Sequence, residues 1–444
     1  MKIRGLLIAA LVLAALGGLL YWSNKKKKAD ESKPLVDTAK IFKWESGDIQ
    51  KIELKRRGGE PTVLEKNKEG QWAIVAPKPY RADQDTVSSM VSTLAALNAD
   101  KTVEDQAADL SPYGLDKPSL EVKLTLKDGK TAKLLVGDEV PTGSGSFVKA
   151  EGDPKIYTVA QYNKSSFDKS LNDLRDRRLV VFEQDKITRV ELISQGQTIE
   201  FGKNTKGDWA ILKPKPMRAD GIQVDELIRK VREAKFDPSM SAEEAKKAAS
   251  AFASGKPVGS AKITDHNGTQ QLEVRKNKDD YYARGSATEG FYKVASDLGS
   301  ALEKKLDDFR NKKIFDFGFN DVSKVEVRDG AKTSVFQKSG EKWMSGSQEM
   351  EAAGVQALID KLRDASAVKF PETPFPGAAV EVSVTYGAST EKVLFAKAGG
   401  KTLAKRDNEP QVYELDEKAI EDVQKAINEV KPAQPPKDDK KKKK

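Results

Sequence analysis

The residues best suited to chemistry in this chain lie in a short motif that occurs twice. Pro-Lys-Pro-x-Arg-Ala-Asp occupies residues 77–83 and again residues 214–220. The two copies supply four charged side chains: Arg81 and Asp83, then Arg218 and Asp220. An arginine and an aspartate two residues apart could contact a charged ligand or a partner protein, because a guanidinium forms strong hydrogen bonds to ionised groups.

The aspartates also fit a structural role at the start of a helix. Asp83, Asp220 and Glu351 each lie four residues before the first apolar residue of a helical stripe. An acid at that place accepts hydrogen bonds from unpaired backbone N–H groups and faces the positive end of the helix dipole. The third copy has Glu349 where the others have arginine. We therefore interpret the acids as helix caps, with a ligand or partner contact as the alternative.

Three tryptophans recur at matching places. Trp72, Trp209 and Trp343 each follow a turn and precede further strand residues. Aromatic side chains in this position usually pack in a core, so we expect all three to be buried near their own helices. The alternative is a platform on which sugar rings stack.

No constellation typical of an enzyme stands out. The chain has no cysteine, and its one histidine, His266, lies in an Asn-Gly turn. Phosphate-binding loops, nucleophile elbows and zinc-binding helix motifs are absent from the sequence. A catalytic pair of carboxylates in a cleft is the alternative that the sequence leaves. The prediction is that the protein is not an enzyme, and no catalytic, cofactor-binding or metal-binding residues are assigned.

A long repeat organises the elements that must position these residues. Asp48, Asp185 and Asp321 open three similar strands that lie 137 and 136 residues apart. Each copy continues as short strands, one amphipathic helix, more strands and a final helix. The helical stripes are Val87, Met90, Val91 and Leu94; Val224, Leu227, Ile228 and Val231; and Val355, Leu358, Ile359 and Leu362. Hairpins mixed with helices predict an α+β class.

The repeat gives explicit boundaries. The predicted organisation is a transmembrane anchor at 1–23, a linker at 24–40, repeat domains at 41–181, 182–315 and 316–431, and a disordered Lys-rich tail at 432–444.

The anchor prediction rests on an uncharged run from Gly5 to Trp22, at the short end of what spans a bilayer. A cleaved signal peptide is the alternative. Lys25 to Lys28 would favour a cytoplasmic body, but Lys2 and Arg4 can hold the N-terminus inside while a long domain is exported. We expect a single-pass protein of a bacterial inner membrane whose body is periplasmic.

The net charge of +9 does not indicate nucleic-acid binding. Six basic residues lie in residues 1–28, and six lysines against two aspartates lie in residues 437–444, so the rest of the chain carries −1. A nucleic-acid binder needs its positive charge on a folded face. We therefore expect no nucleic-acid partner.

Several further motifs join these features. They are Gly-x-Trp-x-Ile-x-x-Pro before the Ala-Asp helix start, Tyr113-Gly-Leu-Asp-x-Pro118, Leu135-Val-Gly-Asp138 and Ile156-Tyr-x-Val159. The pattern resembles the bacterial domain-of-unknown-function family 4340, most clearly in the first copy. The resemblance implies a single-span protein linked to ABC transporters and gliding-motility-type transport. It supplies no catalytic residues.

Our functional hypothesis follows from this resemblance. We expect a non-enzymatic, membrane-anchored accessory or scaffold protein of an ABC-type transport assembly, with protein partners in that complex and no cofactor. The alternative is an extracytoplasmic binding module for cell-wall polysaccharide or peptide.

Overall fold

A computed structural model describes residues 39–141, 143 and 145–434. The predicted membrane anchor, most of the predicted linker and most of the Lys-rich tail lie outside these residues. No helix in the described part is long and apolar enough to cross a membrane.

Three antiparallel sheets dominate the described chain. Repeat one contains β1 (Ile49–Arg56), β2 (Thr62–Lys66), β3 (Trp72–Ala76), β4 (Tyr80–Arg81), β5 (Lys101–Glu104), β6 (Leu120–Leu126), β7 (Thr131–Glu139), β8 (Gly145–Ala150) and β9 (Ile156–Ala160). Repeat two contains β10 (Arg189–Ser194), β11 (Gln197–Lys203), β12 (Trp209–Lys213), β13 (Met217–Arg218), β14 (Lys256–Asp265), β15 (Gly268–Asn277), β16 (Asp280–Gly285) and β17 (Thr288–Val294). Repeat three contains β18 (Val322–Asp329), β19 (Lys332–Ser339), β20 (Lys342–Ser345), β21 (Gln348–Met350), β22 (Val380–Tyr386), β23 (Ser389–Ala398), β24 (Lys401–Arg406) and β25 (Val412–Leu415).

The strand order is the same in each repeat. In repeat two it is β13-β12-β11-β10-β14-β15-β16-β17, so two four-stranded meanders join along the pair β10 and β14. Repeat three follows this order, and repeat one adds β5 beyond β9. The first meander of each repeat therefore ends at a short edge strand, which in repeats one and two carries the motif arginine, Arg81 or Arg218.

Helices connect and follow the meanders. They are α1 (Gln84–Ala95), α2 (Gln161–Phe167) and α3 (Leu171–Leu174) in repeat one; α4 (Gly221–Glu233), α5 (Ala242–Ser254) and α6 (Ser296–Leu302) in repeat two; and α7 (Ala352–Asp364) and α8 (Ala419–Glu429) in repeat three. Helix α5 has no counterpart in the other repeats. Its predicted capping box is present, since Glu244 N donates to Ser241 Oγ and the Glu244 carboxylate accepts from Ser241 N.

Each sheet has its own hydrophobic core, built on the predicted helical stripes. All twelve stripe residues in α1, α4 and α7 are buried. They pack against the apolar face of their sheet, in three separate clusters of buried residues. The 3.6-residue period therefore predicted correctly which face of each helix the sheet covers.

A recurring backbone contact closes each repeat. A residue at the end of the edge strand, or directly after it, bridges the segment that follows the last helix: Ala82 with Arg175, Ala219 with Arg310, and Met350 with Pro432. The contact places Arg310 and Asn311 beside β13, where Asn311 N donates to Arg218 O at 3.0 Å.

The chain divides into two compact units, one ending at Arg177 and the other beginning at Arg178. The first contains sheet one. The second contains sheets two and three.

The predicted fold class is wrong. We expected α+β repeats of mixed strands and helices, whereas the structure is mostly three large antiparallel sheets, with 42% strand and 23% helix. The alternating segments predicted separate hairpins. In the structure these hairpins join into one sheet per repeat, because a central strand such as β10 pairs with β11 on one side and β14 on the other.

Candidate functional site

The repeated aspartates cap helices. Asp83 Oδ1 accepts from Thr86 N at 2.9 Å at the start of α1. Asp220 Oδ1 accepts from Ile222 N at 3.0 Å and Gln223 N at 3.2 Å at the start of α4. The expectation is confirmed for both residues. Glu351 also stands at the N-cap of its helix, α7, but its side chain makes no cap hydrogen bond, so only the position is as expected.

The tryptophans occupy equivalent places with unequal exposure. Trp72 and Trp343 are buried, as expected. Trp209 is only partly buried, which corrects the expectation for repeat two, and its Nε1 donates to Asp225 Oδ1 at 2.8 Å. A lysine ammonium lies 5.0 to 5.9 Å from the ring centre in every case, on Trp72, Trp209 and Trp343 alike.

The two motif arginines make different contacts. Arg81 Nε lies 3.4 Å from Asp176 Oδ2, an acid of its own repeat. Arg218 reaches from repeat two into repeat three, where its Nη1 donates to Asp316 Oδ1 at 2.7 Å. The structure therefore does not bring Arg81 and Arg218 together with their neighbouring aspartates as paired ligand groups; the aspartates are engaged by helix ends.

Arg218 is the centre of a charged cluster between sheets two and three. Its Nη2 donates to Lys313 O at 2.6 Å and to the Tyr413 hydroxyl at 3.1 Å. Its Nε lies 2.8 Å from Glu409 Oε1, close enough for ion pairing although the N–H is not aligned for a hydrogen bond. The side chain is mostly buried. Burial lowers the pKa of Arg218, but Asp316, Tyr413 and Glu409 outweigh it and raise that pKa overall.

A second arginine completes the cluster. Arg406, buried on β24, donates through Nη1 to Ile314 O at 2.7 Å. Its guanidinium also lies 3.3 Å from Asp316 Oδ2, 3.3 Å from Glu391 Oε2 and 2.9 Å from Glu409 Oε1. We call Arg218, Arg406, Asp316, Glu391 and Glu409 the arginine cluster. Two cations and three carboxylates share the space, so each charge has an opposite partner in a partly dry environment.

Two tyrosines hydrogen-bond to the carboxylates. The Tyr413 hydroxyl donates to Glu409 Oε2 at 2.6 Å, and the Tyr386 hydroxyl donates to Glu391 Oε1. Burial, with help from Glu409, raises the pKa of Tyr413 to about 12 against the opposing effect of Arg218. Burial and the hydrogen bond to Glu391 raise the pKa of Tyr386 to about 12. Both phenols are therefore protonated donors at neutral pH.

Two cavities meet at Arg218. The apolar chamber, of about 800 Å³, lies between the β12–β13 turn and repeat three. The polar chamber, of about 980 Å³, extends toward α4 and Tyr386. Trp209, Arg218, Asn311 and Glu409 line both chambers. These four residues therefore form the boundary between the two chambers.

Apolar and cyclic side chains line the apolar chamber. Leu212, which is 43% exposed, and Met217 contribute from repeat two. Repeat three adds Phe370 and Tyr413. The prolines are Pro216, Pro371, Pro374 and Pro410. The Lys215 ammonium lies 3.1 Å from Glu372 Oε1, and so links the two sides of the chamber at its rim.

Arg310 lies in the wall of the apolar chamber and is 5% exposed. Its guanidinium carbon stands 3.8 Å from the centre of the Phe370 ring, and its Nη1 donates to Asp307 Oδ1 at 3.0 Å. The buried Nη2 has no hydrogen-bond acceptor among the described residues. A buried cationic donor without an acceptor is unusual in a folded protein.

The arrangement suits binding better than bond-making. Each carboxylate of the arginine cluster lies within ion-pairing distance of a guanidinium group and is already engaged within the protein. Within residues 39–141, 143 and 145–434, no group of three or more potential ligands is placed to hold a metal ion. His266 lies at the surface, with Nε2 3.5 Å from Glu183 Oε1, and is not part of this site.

Sequence reasoning missed most of the cluster. Arg406 offered one signal, since it sits among the inward-facing positions of a strand where an apolar residue would be expected. Asp316 offered another, because the aligned residue of repeat one's exit is Val181. Nothing local identified Glu409 or Tyr413, which lie almost two hundred residues beyond Arg218.

The remaining quoted motifs have a structural explanation. Gly114 has φ of 65°, and a Cβ there would lie 2.4 Å from the Asp138 carboxyl carbon. A Cβ on Gly137 would lie 2.0 Å from Tyr113 O. The Tyr-Gly-Leu and Val-Gly-Asp segments thus pack backbone to backbone, and only glycine allows that approach.

Comparison with known proteins gives one family. The profile of a family described as domain of unknown function (DUF4340) matches residues 72–249 and residues 209–390. The matches begin at Trp72 and Trp209, one repeat period apart, and together cover more than half of the chain. No curated protein and no solved structure matches.

Proposed function

The chain belongs to the DUF4340 family, and from that premise we propose that it is a non-catalytic, membrane-anchored accessory protein of an ABC-type transport assembly. Its body lies outside the cytoplasm, and the cleft formed by the two chambers binds a protein partner of that assembly. The N-terminal sequence from Gly5 to Trp22 holds the chain at the membrane.

The observation that carries this proposal is the pre-formed cleft between sheets two and three. The arginine cluster joins the two sheets through Arg218, so the two sides of the cleft are held together before anything binds. Exposed Leu212 at its edge offers apolar area that a partner could bury. The charges inside are already paired, which favours recognition over acid–base chemistry.

Affinity purification of the full-length, detergent-extracted protein tests the proposal. Wild-type protein should co-purify with the membrane and ATPase subunits of a transporter. Leu212→Glu should lose them, because it places a charge at the cleft edge. Val103→Glu is the matched control, since Val103 is 42% exposed and lies in the other compact unit. Equal recovery with both variants would contradict a cleft-mediated role.

Location needs its own measurement. Alkaline phosphatase fused after Lys431 should be active if the body lies outside the cytoplasm. An inactive phosphatase fusion, together with a fluorescent cytoplasmic reporter at the same site, would contradict that topology.

Cell-wall glycan or peptide binding is the second candidate. Trp209 is partly exposed at the junction of the chambers, and an indole face can stack on a sugar. Phe370 and Tyr413 are buried and present no open ring face to the chamber. Retention of the protein on purified peptidoglycan, abolished by Trp209→Ala and unaffected by Leu212→Glu, would favour this candidate over the first.

A further inference from the structure

Three buried arginine nitrogens at the cleft have no hydrogen-bond acceptor among the described residues: Nε of Arg218, Nε of Arg406 and Nη2 of Arg310. The two Nε atoms lie 2.8 and 2.9 Å from Glu409 Oε1, within ion-pairing distance, whereas the ion pair of Arg310 is made by Nη1. The arginines of the arginine cluster face several carboxylates and carbonyl oxygens. Arg310 has a single carboxylate partner, Asp307, whose side chain is 65% exposed. Its Nη2 is buried and has no acceptor in the described chain. Leaving a buried charged donor unsatisfied destabilises a fold, so a residue kept in this state calls for an acceptor from elsewhere.

The equivalent arginine of repeat one is arranged differently. Arg175 lies 4.1 Å from the centre of the Tyr80 ring, and Tyr80 belongs to the Pro-Lys-Pro-Tyr motif of the same repeat. Repeat two has Met217 at that motif position, and Arg310 stacks on Phe370 of repeat three. The methionine therefore leaves the space beside Arg310 without an aromatic cover from its own repeat, and this space is part of the apolar chamber.

The chamber has the dimensions and lining of a ligand site. Its volume of about 800 Å³ lies within the range of about 300–1,000 Å³ common for such pockets. Proline, aliphatic and aromatic residues together make up more than half of its lining, and such surfaces accept extended, apolar peptide segments. Glu372 and Glu409 are paired with Lys215 and Arg218. Asp307 pairs with Nη1 of Arg310, so Nη2 of Arg310 is the donor in the wall that is left for a ligand.

We propose that the apolar chamber binds an extended, apolar peptide segment of a partner protein, and that Arg310 recognises a carboxylate on that segment. The inference rests on the proposed function and specifies the chemistry of its partner. The carboxylate accepts from Nη2, which completes the hydrogen bonding of the guanidinium. In the unbound protein the Phe370 ring stacks on the guanidinium of Arg310, and Nη2 is buried. Binding therefore shifts the segment of residues 370–374, which lines the chamber, aside. Apolar side chains of the peptide bury Leu212 and Met217.

Peptide selection on the full-length chain tests this assignment. The probe is a displayed library of random heptapeptides, followed by fluorescence polarisation with one selected peptide, its Glu→Gln or Asp→Asn counterpart, and its C-terminal amide. Wild-type protein should select peptides that combine a carboxylate with apolar residues. Removing the carboxylate should weaken binding by roughly 10-fold or more, as expected for a charge-assisted hydrogen bond. The amide shows whether that carboxylate is the C-terminus or a side chain.

Arg310→Gln should abolish this preference for a carboxylate. The selected peptide and the counterpart that lacks the carboxylate should then bind equally well. Arg175→Gln is the matched control, because it removes the equivalent arginine stacked on an aromatic ring, and it should leave the preference intact. Leu212→Glu gives a second measurement that does not depend on folding of the Arg310 variant. An added carboxylate at the rim should weaken the acidic peptide more than the neutral one.

Selection without acidic residues, an acid preference that survives Arg310→Gln, or binding of soluble muropeptides in place of library peptides would each overturn the assignment. Recovery of transporter subunits in the purification experiment is independent of these outcomes. The peptide experiment can thus contradict the assignment of Arg310 while the purification supports the accessory role. The opposite pair of results is equally distinguishable.

Discussion

At the scale of single residues, position within the repeat decides what a side chain does. Arg81 and Arg218 occupy the same place in the same motif, yet Arg81 meets Asp176 and Arg218 meets Asp316 and Glu409. The aspartates two residues later keep one role, because a helix begins after both. Identical local sequence therefore fixes the cap but leaves the partner of the arginine to the tertiary structure.

Removing the cap should destabilise the helices that have one. Asp83→Ala and Asp220→Ala should each lower the free energy of unfolding by about 0.5–2 kcal/mol, and Asp→Asn should restore most of it. Glu351→Ala should change stability little, because Glu351 makes no side-chain cap bond. Denaturant titration of the three variants checks this. An equal loss in Glu351→Ala would contradict the capping account.

At alkaline pH, the free energy of unfolding should depend on the ionisation of Tyr413. Its pKa is raised to about 12 in the folded protein, above the ordinary value near 10. Below pH 10 both states hold the proton; between about pH 10 and 12 the unfolded state loses it first, so stability falls as pH rises. The loss should be on the order of 2–3 kcal/mol. The free energy of unfolding, measured between pH 10 and 12, should fall less steeply with pH in Tyr413→Phe than in wild type. The same slope in both proteins would contradict burial of this phenol.

At the scale of elements, the sequence predicted helices better than sheets. The stripes and caps of α1 and α4 follow from spacing within about a dozen residues, which is local information. The class was misjudged because the joining of β10 with β14 depends on residues some seventy positions apart. The arginine cluster was missed for the same reason, since Arg218 and Asp316 are 98 residues apart.

The three equivalent strand tryptophans should differ in their contribution to stability. Trp343→Ala removes a buried ring from the core of repeat three and should cost about 3–5 kcal/mol. Trp209→Ala removes a partly exposed ring and should cost about 1–3 kcal/mol. Thermal and denaturant unfolding of both variants checks the order. A larger loss in Trp209→Ala would mean that this ring is part of the core and not of the cleft.

At the scale of the whole molecule, three similar sheets are used unequally. Sheets two and three lie in one compact unit, and the cluster that spans them encloses the two chambers. Two residues of the cleft differ from their counterparts in repeat one: Asp316 stands in place of valine, and Met217 in place of tyrosine. The three sheets thus share a scaffold, and the cleft depends on residues that differ between the repeats.

The central claim is that the cleft of the second unit contacts a transport-complex partner outside the cytoplasm. Its most direct test is photo-crosslinking in living cells, with a crosslinking amino acid in place of Leu212 and, as control, in place of Val103. Leu212 lies at the cleft and Val103 is equally exposed elsewhere. We predict a crosslinked species at position 212 that contains a transporter subunit and that is absent at position 103. Crosslinks to glycan alone, or the same species from both positions, would contradict the account.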